Sequence, residues 1–282
     1  MLIAVFAVLA IALAGMICLA FGLFENLGWL WCMPVSTLVI FLLLAGLWYL
    51  MILIMSRTAD MDQEQDGDDR FFRWVIQLTA ESVIPILGVR VHTKGFEQKL
   101  PEGRFLLVCN HLHDIDPAFL LRAFPKSKLA FIAKKEVRQM PLIGPFLKKI
   151  QGQFVDREND REALKTIIKC INIIKEDKAS VAVFPEGWIR EDRLLRPFRP
   201  GVFKIAQKTN VPVVVCTLQN THGVLPMVKK LQRADVHLHL VGIISAEDVQ
   251  STTTVDIAHR AFDMMAQDLG PELVYRECVE ST

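Results

Sequence analysis

The stretch Phe105-Leu106-Leu107-Val108-Cys109-Asn110-His111-Leu112-His113-Asp114-Ile115-Asp116-Pro117 decides how the rest of the chain is read. Five consecutive apolar residues suit a strand buried on both faces. Pro117 suits the first turn of a helix, where a missing N–H has no partner to lose. A polar loop rich in histidine and aspartate lies between them. Outward from it, short apolar runs keep alternating with helical periodicity. The pattern predicts strands over 105–109, 129–133, 153–155, 181–184, 211–217 and 236–244, and helices over 117–124, 160–177, 201–209 and 254–269. The 160–177 helix shows its period plainly, with Ala163, Ile167, Ile171 and Ile174 on one stripe. This is the order of an α/β fold with a mostly parallel sheet flanked by helices. In such sheets the ligand lies beyond the carboxyl ends of the strands, so the residues just after each strand matter most.

The N-terminal part has a different composition. Of the 282 residues 52% are apolar, yet Glu25 is the only charged side chain before Arg57. Residues 2–24 and 35–55 carry no charge. At ~1.5 Å per residue each run can cross a hydrocarbon core of ~30 Å. A cleaved signal peptide wants a basic start, which Met1-Leu2-Ile3 lacks, and a core helix of this length shows some polar face. Trp29, Trp31, Trp48 and Tyr49 stand where interfacial anchors stand, and Glu25-Asn26 with Gly28 and Pro34 supplies a turn. Residues 1–56 are therefore expected to be a membrane-embedded helical hairpin. Residues 57–88 form an acidic linker followed by an amphipathic helix, and 89–282 form the α/β domain. Arg57, Arg70 and Arg73 after the second span favour a cytoplasmic domain.

Asp60 to Asp69 places six acids within ten residues. The run lacks the terminal glutamate of a calcium loop, since Phe71 stands at that spacing, so a solvated linker is expected. Arg70-Phe71-Phe72-Arg73-Trp74-Val75-Ile76 serves equally a helix lying in the lipid interface and one packing on the domain's own core. A net charge of +1 argues against nucleic acid as a partner. The six cysteines show no CxxC spacing and read as small buried hydrophobes in a reducing compartment.

Four residues separate His111 from Asp116, enough for a turn to bring the carboxylate back onto the imidazole. Such a pair makes a general base: the carboxylate orients the ring while its free nitrogen takes a proton from an attacking hydroxyl. The same His-x-His-Asp-x-Asp cluster also suits metal ligands, and His222, His237, His239 and His259 could complete such a set, so a metallohydrolase stays open. His237 and His239 alternate with apolar residues, as on a half-exposed strand, and are read as structural. Cys109 is read as buried and inert, and His113 and Asp114 as loop residues.

Three later segments join the first. Gly152-Gln153-Phe154-Val155-Asp156-Arg157 ends a strand on a basic residue, Phe184-Pro185-Glu186-Gly187 ends another on an acid and a glycine, and Val211-Pro212-Val213-Val214 opens a third. With Asn110, His111 and Asp116 on NHxxxxD, Gly152–Arg157 on GxxFxxR, Phe184–Gly187 on the start of FPEGTRS and the apolar stretch around Pro212, residues 89–218 resemble the glycerolipid acyltransferase family, specifically its bacterial lysophosphatidic acid acyltransferases. One departure stands out: after Gly187 the chain reads Trp188-Ile189-Arg190, with tryptophan for the family's threonine and the arginine one position on. The resemblance implies transfer of a fatty acyl group from acyl-CoA or acyl-carrier protein to the sn-2 hydroxyl of 1-acylglycerol-3-phosphate, making phosphatidic acid. His111 is then the base and Asp116 its orienting acid. Lys134, Lys135, Arg157, Glu186, Gly187 and Arg190 are the implied substrate-binding residues, and backbone N–H groups near Gly187 or after Pro117 the implied oxyanion donors. It implies no metal and no cofactor beyond the thioester co-substrate, with a lysophospholipid acceptor, membrane lipids and the acyl donor as partners, at the cell membrane. Trp188 leaves another lysolipid or glycerol acceptor open.

Overall fold

Two long apolar helices, α1 (Leu2–Ala20) and α2 (Trp29–Thr58), begin the computed structural model, which describes residues 2–63 and 67–275. Both are long and apolar enough to cross a membrane. In α1 the buried residues are Ala10, Ala14 and Cys18, a small side chain every fourth residue, and this stripe lets α2 pack closely along it. The connection is made by Gly22 at φ 63°, a short turn over Leu23–Glu25, and Asn26, whose side-chain oxygen accepts from the Gly28 N–H at 2.7 Å. Pro34 does not belong to it. It lies inside α2, where its missing N–H costs one bond of the helical ladder.

The acidic segment keeps Asp60, Asp62 and Gln63 exposed, as a solvated linker does, but is strapped to the domain by hydrogen bonds; of it, residues 64–66 lie outside those described. Lys148 Nζ donates to the Asp60 carbonyl at 2.6 Å, and Arg138 Nη2 to the Met61 carbonyl at 2.7 Å and to Asp62 at 2.6 Å. Gln151 donates to the Gly67 carbonyl at 2.6 Å. Arg73 pairs with Asp68 at 2.6 Å and reaches the Leu129 and Ile150 carbonyls at 3.0 Å each. The cations that hold the strap are far away in sequence, so the run alone reads as solvated. Helix α3 (Arg70–Ile86) follows, capped by Asp69, whose carboxylate accepts from the Phe71 and Phe72 N–H groups. Phe72 and Val75 pack on Met55 of α2, and Ala80 and Ile84 on the sheet, so this face is a core face. Phe71 and Trp74 stay exposed, with Trp74 edge-on to Trp48 at 5.9 Å.

The domain then runs β1 (Val89–Lys94), β2 (Leu106–Cys109), α4 (Asp116–Ala123), β3 (Leu129–Lys134), α5 (Ile143–Lys149), β4 (Gln153–Val155), α6 (Asp160–Lys175), β5 (Ser180–Val183), α7 (Lys204–Thr209), β6 (Val213–Gln219), α8 (Val224–Lys229), β7 (Ala234–Ile244), α9 (Ala246–Ser251) and α10 (Thr254–Leu269). The seven strands form one sheet in the order β1-β7-β6-β2-β5-β3-β4. Every neighbouring pair is parallel except β6 with β7. Hence β1 and β7 run opposite to the other five. The chain has the expected α/β architecture with a mostly parallel sheet.

The expected strands all form, with ends moved by one or two residues. The strand missing from the sequence reading is β1, where Val-Arg-Val-His-Thr-Lys alternates on a half-exposed edge. The 201–209 helix divides into a tight turn over Pro200–Phe203 and α7. On α6 the most buried stripe is Thr166, Cys170, Ile173 and Ile174, with Ile167 and Ile171 on its flank, because the helix rolls to leave a cavity against the sheet.

Candidate active site

The strand β2 is buried along its whole length, and its exit brings the polar loop to the carboxyl end of the sheet centre. Asn110 locks that exit: its amide donates to the Leu218 carbonyl at 2.9 Å and its oxygen accepts from the Leu218 N–H at 2.7 Å, joining the ends of β2 and β6. Asp116 opens α4 and is fully buried. Its Oδ2 accepts from His111 Nδ1 at 2.8 Å, from the Leu112 N–H at 2.7 Å and from the His113 N–H at 2.9 Å. The predicted turn therefore closes through one carboxylate oxygen. With Nδ1 engaged as a donor, Nε2 of His111 is the ring nitrogen left to accept a proton. The imidazole lies flat on Phe184, with centroids 4.0 Å apart and planes 13° apart, so one face is sealed and the ring cannot swing away. Arg193 Nη1 donates to the Leu112 carbonyl at 2.6 Å and pins the loop from the other side.

Glu186 follows β5. Its Oε1 accepts from the His111 N–H at 2.9 Å and its Oε2 from the Arg196 N–H at 3.2 Å. Burial pushes its carboxyl up to about 7, against the pull of those two N–H groups. Both oxygens are spent on main chain, so the carboxylate ties the His111 loop to the 186–196 loop. Gly187, at φ 82°, holds a backbone that other residues enter only with strain, and a Cβ there would lie 3.1 Å from Arg199 Nε.

That closeness exposes the residue the sequence reading missed. Arg157 and Arg199 both line a cavity of about 420 Å³ between α6 and the sheet, whose walls include Ile132, Val155, Ile167, Val183 and Phe184. Neither arginine has a carboxylate in ion-pair range among the described residues. Burial and the neighbouring Arg199 hold the Arg157 guanidinium below its ordinary value. Arg157 also lies over the Trp188 ring at 5.4 Å. The Arg199 N–H donates to the Pro185 carbonyl at 3.0 Å, which places the residue beside Gly187. Phe184 links the two regions, stacked on His111 and lining the cavity. Arg190 is exposed and lines a smaller cavity of about 260 Å³ with Trp188, Arg196 and Arg199. Arginines at 190, 193, 196 and 199, every third residue, were the available signal.

The other expected cations lie at the strand end beside Arg157, where Lys134 pairs in register with Val155. Lys135 Nζ is paired with Asp156 at 2.8 Å, and that bond raises its pKa. Lys134 is exposed at the end of β3. Cys109 is buried, and desolvation drives its thiol well above the ordinary range, which removes it as a nucleophile. His239 is held by Asp268 at 3.0 Å and His237 lies beside His92, both on the outer strands. Among the described residues no group of three or more histidine, cysteine or acidic side chains is arranged to hold a metal ion.

A buried carboxylate on an imidazole, beside a largely apolar cavity lined also by two arginines, suits general-base attack by a hydroxyl. Residues 89–219 match the acyltransferase family. It is 26% identical over 220 residues to the 1-acyl-sn-glycerol-3-phosphate acyltransferase of Saccharomyces cerevisiae, an alignment covering 77% of this chain and 72% of the yeast protein. It is 30% identical over 170 residues to a Mycoplasma pneumoniae protein named probable 1-acyl-sn-glycerol-3-phosphate acyltransferase, covering 57% of this chain and 63% of that one. Its fold is similar to the crystal structure of the 1-acyl-sn-glycerophosphate acyltransferase PlsC of Thermotoga maritima, with TM-score 0.54 and 21% identity over 76% of this chain and 86% of the other.

Proposed function

We propose that the protein transfers a fatty acyl group from acyl-CoA or acyl-carrier protein to the sn-2 hydroxyl of 1-acylglycerol-3-phosphate, forming phosphatidic acid. The observation that carries this reading is the His111–Asp116 pair, set in a domain of this family next to a cavity with two unpaired arginines. His111 Nε2 takes the hydroxyl proton as the acceptor oxygen attacks the thioester carbonyl. Asp116 holds the ring and stabilises the imidazolium. The tetrahedral intermediate then expels the thiolate, the C–S bond breaks, and the imidazolium returns the proton to sulfur. Arg157 and Arg199 grip the acceptor phosphate, and Arg190 lies close enough to join them. Glu186 and Gly187 shape the loop that carries the base. The protein resides in the cell membrane through α1 and α2, with its catalytic domain facing the cytoplasm.

The test is incubation of the purified full chain in vesicles with labelled acyl-CoA or acyl-carrier protein and a panel of lysolipids. The expected product is phosphatidic acid from lysophosphatidic acid. Transfer only to an acceptor without a phosphomonoester would refute the acceptor, an outcome that Trp188 and Ile189 make worth testing. Hydrolysis lost with a chelator and restored by zinc would refute the reaction.

A further inference from the structure

At one end of the sheet the chain exposes an apolar side chain that its packing does not require. Helix α8 ends in the turn Lys229-Lys230-Leu231-Gln232-Arg233, tightened by bonds from the Lys230 and Gln232 N–H groups to the Met227 carbonyl at 3.0 and 2.9 Å. Leu231 stands at its tip, 96% exposed and at φ 55°, a left-handed backbone that asparagine or glycine adopts more readily. Lys229, Lys230 and Arg233 are exposed around it, and among the described residues none has a carboxylate in ion-pair range.

Strand polarity decides where this turn lies. β7 is antiparallel to β6, with Gln219 at the carboxyl end of β6 opposite His237 near the start of β7. β6 is parallel to β2. The amino end of β7, and the turn before it, therefore project from the same end of the sheet as His111. The amino end of β1 is there too, with Val89 beside Ala234 and the Ala234 N–H donating to the Gly88 carbonyl at 3.4 Å. This brings Gly88, two residues past Ile86 at the end of α3, beside Arg233 of the turn, and Ile86 is 64% exposed.

We infer that the 229–233 turn, with Ile86 at its side, is a membrane contact that holds the active-site end of the sheet on an anionic bilayer. Leu231 enters the boundary between headgroups and acyl chains, while Lys229, Lys230 and Arg233 meet lipid phosphates. Two features favour a bilayer over a protein partner. The helix that delivers Ile86 packs on α2 through Phe72 and Val75 in its first two turns, so one short helix joins this surface to the apolar pair. One apolar tip ringed by three unpaired cations also complements an anionic interface better than an apolar groove. The inference rests on the membrane reading of α1 and α2 and not on the acceptor's identity.

The test uses the full chain carrying Cys32→Ala and Cys278→Ala, with an environment-sensitive fluorophore on Leu231→Cys. The control carries the label on Glu102→Cys, an exposed position in the loop leading into β2, at the opposite end of the sheet. In vesicles containing phosphatidylglycerol, quenching by brominated lipid should be several-fold stronger at 231 than at 102, with iodide access reduced only at 231. Lys229→Gln, Lys230→Gln and Arg233→Gln together should bring the 231 signal most of the way to that of 102. Equal quenching at both positions, or protection at 231 that persists in detergent and grows with protein concentration, would overturn the inference. The second result would assign the turn to a protein contact.

Discussion

Asp116→Asn tests the proposed chemistry most directly, because the side chain keeps its shape and loses its charge. In the native site one carboxylate oxygen collects three N–H donors, from His111 Nδ1, Leu112 and His113, at 2.7–2.9 Å. The other oxygen, Oδ1, is buried without a partner. An asparagine oxygen can keep the three donors, but its NH2 group then occupies the Oδ1 position with two N–H bonds and no acceptor. The stranded donors and the weaker neutral acceptor together cost about 2–4 kcal/mol of stability. Loss of the charge facing the imidazolium should lower kcat about 10²–10⁴-fold, equivalent to roughly 3–5 kcal/mol in the barrier. The assay is thiol release from acyl-CoA with vesicle-embedded lysophosphatidic acid, alongside urea unfolding to confirm that the variant is folded. His111→Ala should lose nearly all transfer, and adding Asp116→Asn to it should cost almost nothing more, since the carboxylate acts through the ring. Activity within threefold of the native enzyme in folded Asp116→Asn would refute the pair. So would a double variant whose loss is the product of the two single losses.

Three further outcomes follow from particular contacts. Arg157→Ala and Arg199→Ala should each raise KM for lysophosphatidic acid about 10–100-fold, the worth of a charge-assisted contact, and leave KM for the thioester unchanged; equal shifts for both substrates would move the arginines away from the phosphate. Glu186 has its carboxyl pushed up from 4.5 to about 7, so the folded chain binds this proton more tightly than the unfolded one, and stability falls by about 3 kcal/mol as pH rises from 4.5 through 7. In Glu186→Gln that part of the slope should vanish, and urea unfolding curves that remain parallel to the native ones from pH 5 to 8 would refute the assignment. With two long apolar helices embedded, the full chain should resist alkaline carbonate extraction, and release into the supernatant would remove the membrane claim.

The parts of the fold legible in the sequence are those specified by local pattern. Strand β2 is an unbroken apolar run, and β5 and β6 are mostly apolar, because both faces are buried, and α10 starts and stops where its period and caps say. β1 escaped because an edge strand needs only one apolar face, and Val89 and Val91 alone do not separate a strand from a loop. The same logic divides the site. His111 and Asp116 are five positions apart, so a single turn joins them, and the sequence spacing contains the contact. The role of Glu186 was not legible, because a carboxylate followed by glycine looks the same whether its oxygens meet a ligand or, as here, the N–H groups of His111 and Arg196. Lys135 looked free for the same reason, since Asp156 reaches it only through the pairing of β3 with β4.

What no local pattern contains is the direction of the strands. Reversing β1 and β7 relative to the other five changes no residue's burial preference, yet it decides which loops share an end of the sheet with His111. Were β7 parallel to β6, its connection would start from the carboxyl end of β6 and have to recross the sheet, so that the 229–233 turn would lie at the end opposite His111. The chain instead returns through α8 on the active-site side and pairs β7 backwards. The short return keeps the turn of Leu231 and its three cations beside Gly88, just past the end of α3, whose first turns pack on α2. The position of the inferred membrane contact at the end of the sheet that carries His111 thus follows from one antiparallel pairing in an otherwise parallel sheet.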